Sequence, residues 1–255
     1  MQVVSMVGRD SLGAGLLEHT ANAGVRVDHV ARTDRATGTY TVILDASGEM
    51  LIGIADMEAI DELGPEHLQS ARDVISTAGL LVVDGNLRRD AFEYVLDLSC
   101  DVRVIVEPVS APKAAAVKGS LDARVFAVTP DREELGALTD LPARSDRQVR
   151  AAAAALHDRG VSVVWVTLGE RGSLLSTPEG VTEIAAVHTT VVDVTGAGDS
   201  MVAAFCHVLL EGGTPLEAAR LGHAAAAATI ASPHTVRPDL TLRLLQSAAD
   251  HKEPS

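Results

Sequence analysis

Aromatic residues are almost missing from this chain. Three Phe, two Tyr and one Trp are spread over 255 residues, so the core must be built from Ala, Val and Leu. Cysteine is equally scarce. Cys100 and Cys206 make neither a disulfide framework nor a metal-ligand spacing, and each reads as a buried thiol. Basic residues are outnumbered, 21 against 35 acidic ones, for a formal net charge of −14. That balance excludes backbone binding to nucleic acid as the main activity, since such binding needs a basic face. A single nucleotide held in a local site is still allowed. No secretory h-region opens the chain, and no apolar run is long and clean enough to span a bilayer. Even Ala224–Ala228 is too short. The expectation is a soluble cytoplasmic protein with no nucleic-acid or membrane partner.

What is present is ample for a core: 47% hydrophobic residues and a mean hydropathy of +0.19. The length fits one α/β domain with a small appendage. Val3–Val7 reads as a buried strand and Asp10–Ala23 as a helix. Thr39–Leu44 and Met50–Ala55 are β-rich runs around Asp45-Ala46-Ser47-Gly48-Glu49, which carries turn chemistry, so they predict a hairpin. It is the one clear antiparallel element. Strands are then predicted at Leu80–Asp84, Arg103–Glu107, Arg124–Val128 and Val163–Thr167. Helical segments alternate with them near Glu66–Ala78, Arg88–Leu98, Pro112–Lys118 and Arg147–Arg159. Such alternation means βαβ units and a mostly parallel sheet covered on both faces. Helices at Ser200–Glu211 and Pro215–Ala231 follow, and the tail from His251 reads as disordered.

Ligands of open α/β sheets bind at the carboxyl ends of the strands. Four strand ends here are polar: Asp84-Gly85-Asn86, Glu107-Pro108, Thr129-Pro130-Asp131 and Thr167–Gly172. A fifth cluster, Asp193-Val194-Thr195-Gly196-Ala197-Gly198-Asp199, opens an apolar helix. Small residues there bare backbone N–H groups at a helix N-terminus, which attracts anions such as phosphate. Asp199 is out of place beside an anion unless it takes a proton from an attacking hydroxyl or simply caps the helix. Local chemistry leaves both readings open.

These motifs together resemble the PfkB/ribokinase family of ATP-dependent carbohydrate and nucleoside kinases. Asp193–Asp199 is similar to that family's D-T-x-G-A-G-D signature, with Val194 at the usual Thr. Thr167-Leu168-Gly169-x-x-Gly172 resembles its nucleotide loop. Pro130-Asp131-Arg132-Glu133-Glu134 resembles its P-N-x-x-E motif, with Asp131 at the usual Asn. Gly8-Arg9-Asp10-x-x-Gly13 resembles the G-x-D-x-x-G near the sugar side. Coverage runs from about Val3 to about Leu245. Within the family, Gly48-Glu49-Met50, Ala55-Asp56-Met57-Glu58, Val83–Leu87, Pro108-Val109-Ser110 with Lys113, and His188–Val191 resemble pseudouridine kinases.

The resemblance implies a ribokinase-like three-layer α/β fold with a β-hairpin lid at 37–56 and the kinase domain at 1–36 and 57–255. It implies transfer of the γ-phosphoryl of ATP to the ribose 5′-hydroxyl of pseudouridine. Asp199 would be the base, and the N–H groups of Gly196, Ala197 and Gly198 the anion hole. Thr167, Gly169, Gly172 and Asp131 would line the ATP site, with His223 near adenine. Glu134 would help hold Mg²⁺ through water, and Asp193 a monovalent cation, commonly K⁺. On the acceptor side stand Asn86 and the lid residues Thr39 and Thr41, with Asp56 toward the base. A small nucleoside or sugar is the expected partner, and a homodimer a further expectation.

The family pattern also places a first strand, a Gly-Gly motif and a helix ahead of the strand that here starts two residues after Met1. That is roughly forty to fifty residues, judged from βαβ unit sizes. The fold is therefore expected to lack its first strand and helix. Three other readings stand beside pseudouridine phosphorylation: another sugar kinase of the family, a nucleotide-binding protein with little transfer activity, and a dinucleotide-dependent oxidoreductase. The last is disfavoured, since no G-x-G-x-x-G follows the first strand.

Overall fold

The computed structural model describes residues 1–44 and 50–245. The predicted turn at Asp45–Glu49 and the tail from His251 lie outside the described residues. The chain divides into two compact units, Met1–Ala78 with Asp84–Asp101, and Gly79–Val83 with Val102–Ser255.

In the first unit, β1 (Gln2–Gly8) pairs in parallel with β2 (Arg26–Thr33) across α1 (Ser11–Asn22). Asp10 is the N-cap of α1 and not its first residue, because its carboxylate accepts the Gly13 N–H at 2.8 Å. The same carboxylate accepts the Thr37 hydroxyl at 2.6 Å and the Thr37 N–H at 2.8 Å. Thr37 Oγ1 in turn accepts the Gly8 N–H at 3.0 Å. A Cβ on Gly8 would sit 2.6 Å from the Arg35 carbonyl, so only glycine fits. The G-x-D-x-x-G stretch is thus a knot that ties the strand, its helix and the approach to the hairpin. Those bonds hold the Asp10 carboxyl down to about 2, with the Thr37 hydroxyl the largest cause.

The hairpin is β3 (Thr39–Leu44) against antiparallel β4 (Met50–Asp56). After the short α2 (Glu58–Asp61), the predicted helix at Glu66–Ala78 is instead two short pieces, α3 (Pro65–Ser70) and α4 (Arg72–Ser76). Ala71 interrupts it, serving as C-cap of one piece and N-cap of the next. Amphipathic α5 (Arg89–Leu98) completes the unit, burying Ala91, Phe92, Val95 and Leu96.

The second unit is built on one sheet. Its strands are β5 (Leu81–Asp84, whose last residue belongs to the first unit), β6 (Val104–Glu107), β7 (Val125–Val128), β8 (Val163–Thr167), β9 (Ser173–Thr177) and β10 (Gly180–Ile184). Their spatial order is β10-β9-β8-β7-β6-β5. β6, β7 and β8 run parallel, as their continuous Val-rich apolar runs predict, and are almost fully buried. β9 and β10 are a correction. They form a second hairpin, and β9 pairs antiparallel with β8. Its Ser- and Thr-rich sequence hid it.

Helices α6 (Ala111–Val117), α7 (Arg132–Thr139) and α8 (Asp146–His157) lie between these strands in sequence. α9 (Ala197–Leu210) and α10 (Pro215–Ile230) follow them. The scarcity of aromatics sets the packing. Ala204, Ala225 and Ala228 are buried in one cluster with Leu245. Trp165 and Phe205 anchor the main core with Ile105, Ala127 and Leu175. Their rings stack at 4.9 Å between centroids, worth about 0.5–1.5 kcal/mol beyond the buried area.

Candidate active site

Four polar segments belong to the second unit. β6 delivers Glu107, and the chain then turns at Val109, whose φ is 69°. The Ser110 N–H reaches back to the Pro108 carbonyl at 2.8 Å, closing a three-residue turn. A β-branched residue at such a φ is strained by about 1–3 kcal/mol. The strain has a visible result: the Val109 N–H bonds the Glu107 carboxylate. The Thr129 hydroxyl, at the end of β7, donates to the same carboxylate. Thr129 is itself held to β6, its N–H donating to the Val106 carbonyl at 3.1 Å.

Pro130 and Asp131 come next. The Thr167 N–H donates to the Pro130 carbonyl at 2.9 Å, so the ends of β7 and β8 are joined. Asp131 and Glu134 form a capping box on α7. The Glu134 N–H donates to Asp131 Oδ1 and the Asp131 N–H to Glu134 Oε2, both at 2.8 Å. Glu134 is 8% exposed. The loop after Thr167 closes as a tight turn, with the Leu168 N–H on the Gly172 carbonyl at 2.8 Å. Gly172 has φ +91°, and a Cβ there would strike the Ile184 carbonyl. Gly169, at φ +62°, faces open space.

The fourth segment precedes α9. Asp193 Oδ1 accepts the Thr195 N–H at 2.8 Å and is pulled below the usual carboxylate range by that bond. Gly196 is the N-cap, with φ +80°, and a Cβ would strike the Thr235 carbonyl. The Ala197 N–H is already used, on the Val194 carbonyl at 3.3 Å. Among the described residues the N–H groups of Gly198 and Asp199 have no partner. Asp199 therefore adds a backbone donor that the residue pattern did not single out. Its side chain is exposed, and among the described residues it has no hydrogen bond or ion pair.

Electrostatics link these segments. Burial pushes the Glu107 carboxyl up to about 7, against the Thr129 bond, and the charges of Glu134 and Asp199 raise it further. Burial likewise raises Glu134, against its bond from Asp131, with the charges of Asp131 and Glu133 adding to it. No cation pairs with Glu107, Glu134 or Asp199 among the described residues. Glu107 was visible in the sequence only as one polar strand end. Its burial and its neighbours mark it.

His223 lies on α10, 6% exposed, with Nε2 2.6 Å from Ser173 Oγ at the start of β9. The remaining sequence-derived residues belong to the first unit. Thr39 and Asp56 are register partners on one hairpin face, with Thr41 beside them, and all three are exposed. The Asn86 N–H donates to Asp84 Oδ1 at 2.8 Å in a turn after β5.

The chain belongs to the PfkB family of carbohydrate kinases, whose model matches residues 1–241. It is thus a phosphotransferase whose acceptor is an alcohol group, on a ribokinase-like α/β fold. It is 30% identical over 253 residues to the pseudouridine kinase of Escherichia coli (strain K12), covering 98% of this chain and 80% of that protein. It is 33% identical over 244 residues to the sugar kinase YeiI of the same strain, itself uncharacterized, covering 94% of this chain and 67% of that one. The structure of Arabidopsis thaliana ribokinase complexed with ribose and ATP superposes with a TM-score of 0.83 at 23% identity, covering 97% and 81% of the two chains.

Proposed function

We propose that this chain phosphorylates the 5′-hydroxyl of pseudouridine, using ATP and Mg²⁺. The observation that carries the reading is Asp199, an exposed carboxylate that, among the described residues, has no hydrogen bond or ion pair and shares the first turn of α9 with two unused backbone donors. The pairing suits a group that takes a proton from a hydroxyl while neighbouring N–H groups hold the charge on the phosphoryl group. Similarity to pseudouridine kinase over nearly the whole chain supports the substrate. The likeness to YeiI supports the second reading, another sugar kinase of the family.

The residues fit a divalent cation. Glu107, Glu134 and Asp199 put uncompensated acid in one region, and burial, with neighbouring negative charge adding to it, raises both glutamates. Among the described residues no cluster of three metal-ligating side chains exists. Glu134 would hold it through water, and the ion would neutralise phosphate charge. Thr167, Gly169, Gly172 and Asp131 are assigned to ATP, with His223 behind that loop. Gly196, Ala197 and Gly198 shape the anion hole, Ala197 through its backbone turn. Asp193 is assigned to K⁺. Asn86, Thr39, Thr41 and Asp56 are assigned to the acceptor, with 37–56 as the lid.

Among the described residues no helix is long and apolar enough to cross a membrane, and cytoplasmic residence belongs to this proposal. So does a homodimer, supported by exposed Tyr40, Val42, Ile43, Leu51, Ile52 and Ile54 on the hairpin. An isolated two-stranded hairpin is marginal in water.

The test is phosphoryl transfer from ATP with Mg²⁺ to pseudouridine, uridine, ribose and fructose 6-phosphate. Pseudouridine should turn over fastest. A faster ribose or hexose phosphate would favour the second reading, and ATP binding without transfer to any acceptor would refute both.

A further inference from the structure

Trp165, Ser173 and His223 are 8 and 50 residues apart and buried together at 0%, 1% and 6% exposure. The Trp165 indole N–H donates to Ser173 Oγ at 2.8 Å, and Ser173 Oγ lies 2.6 Å from His223 Nε2. An indole N–H can only donate, so the serine oxygen accepts from Trp165. His223 Nε2 lies within hydrogen-bond distance of the same oxygen, so one buried hydroxyl joins the indole to the imidazole.

The place of this relay in the fold gives it a role. Ser173 directly follows Gly172 and pairs with Thr167, so the two residues clamp the Leu168–Gly172 loop. Trp165 stacks on Phe205 of α9, the helix whose first turn holds Gly198 and Asp199. His223 comes from α10, and the preceding Gly222 is so close to the Trp165 ring that a Cβ would strike it. The other face of β9 is pinned as well, by Ser176 Oγ at 2.9 Å from His157 Nε2 on α8.

We infer that Ser173 is a positioning residue. Through Trp165 and His223 it sets the register of the Gly169–Gly172 loop against the first turn of α9, and hence of the nucleotide against Asp199. This inference rests on the kinase reading for its kinetic consequence but not for its geometry. Ser173 touches no substrate. It acts on both halves of the phosphoryl-transfer site through packed neighbours.

The test uses Ser173→Ala, Ser173→Thr and Trp165→Phe in the full chain. With ATP varied, Ser173→Ala should raise the KM for ATP roughly tenfold or more, since displacements near 1 Å cost up to about 10²-fold. The KM for the acceptor should hold within about twofold, a split that general loss of fold does not produce. Ser173→Thr keeps the hydroxyl and should recover most of the loss. Trp165→Phe keeps one ring against Phe205 but removes the N–H together with the second ring of the indole, so it should reproduce the ATP KM effect and add a loss of stability from the cavity.

Amide exchange without ligand separates failure of the inference from failure of the kinase reading. Ser173→Ala should speed exchange at the hydrogen-bonded amides of Leu168, Arg171 and Gly172 in the loop and of Ala197 and Ser200 in the first turn of α9. Trp165 is the only tryptophan, so its emission should shift in the same variant. Unchanged exchange and an unchanged ATP KM in folded Ser173→Ala would overturn the inference. If the wild type transfers no phosphate, the kinase reading fails, and the exchange result alone still decides the relay.

Discussion

Replacing Glu107 by glutamine makes a sharp test of the acidic region. The Glu107 carboxyl is raised from 4.5 to about 7, chiefly by burial and then by the charge of Glu134, while the Thr129 bond opposes the rise. The sign follows directly. Below about pH 4.5 the group is protonated in folded and unfolded chains alike and costs nothing. Between pH 4.5 and 7 the unfolded chain releases its proton and the folded chain keeps it, so stability falls as pH rises. Above 7 the penalty is constant. Holding the proton some 300-fold more tightly corresponds to about 3 kcal/mol. Glutamine has the shape of the protonated acid and never ionises. Glu107→Gln should therefore be as stable as wild type at pH 4.5 and up to about 3 kcal/mol more stable at pH 8. Urea unfolding followed by Trp165 emission, across pH 4.5–8, reads this in the unit that holds both residues. Mg²⁺ at pH 8 should narrow the difference by stabilising ionised wild type. A gap that is the same at pH 4.5 and pH 8, or a variant less stable at pH 8, would refute the reasoning.

Other outcomes are expected at the α9 turn and beyond. Asp199→Asn should lower the transfer rate by about 10²–10⁴-fold and leave ATP affinity intact by calorimetry; full retained activity would remove Asp199 as the base. Gly196→Ala should destabilise, because a Cβ meets the Thr235 carbonyl at a positive φ. Gly198→Ala meets nothing in the chain and should gain up to about 1 kcal/mol of helix propensity. Thermal melts and kinetics on the pair should therefore separate stability from activity, Gly198→Ala losing transfer alone. Val109→Gly should stabilise by about 1 kcal/mol in urea melts by relieving its positive φ, even though glycine loosens the unfolded chain. Asp10→Ala should cost about 0.5–2 kcal/mol through the lost cap. In wild type the Asp10 contribution should be present above about pH 4 and disappear as pH falls through 2, the direction set by its lowered pKa.

Much of the architecture was legible in the residues. Val-rich runs predicted β6, β7 and β8 to within a residue, because strands buried on both faces read as continuous apolar runs. β2, with its mixed Arg-Val-Asp-His-Val pattern, went unseen, and so did β9 and β10. These strands carry polar side chains whose partners are remote, such as Ser173 on His223 and Ser176 on His157. The break at Ala71 also had no local signal, since alanine favours helix.

By itself the sequence determined the chemistry that depends on spacing along the backbone. Glycines at 196 and 198 ahead of Asp199 specify the turn that opens α9, and Asp131 with Glu134 three residues on fits a capping box. Such features act within one turn of chain, so their pattern is visible in a short window. Only the tertiary structure decided what the same residues feel. It half-buried Glu107 and set the charges of Glu134 and Asp199 near it, and among the described residues it used the Ala197 N–H while leaving those of Gly198 and Asp199 unused. It also joined Trp165 to His223 through one serine. Burial and charge proximity depend on distance in space, and residues 50 apart come within hydrogen-bond reach only after the sheet and its helices have packed.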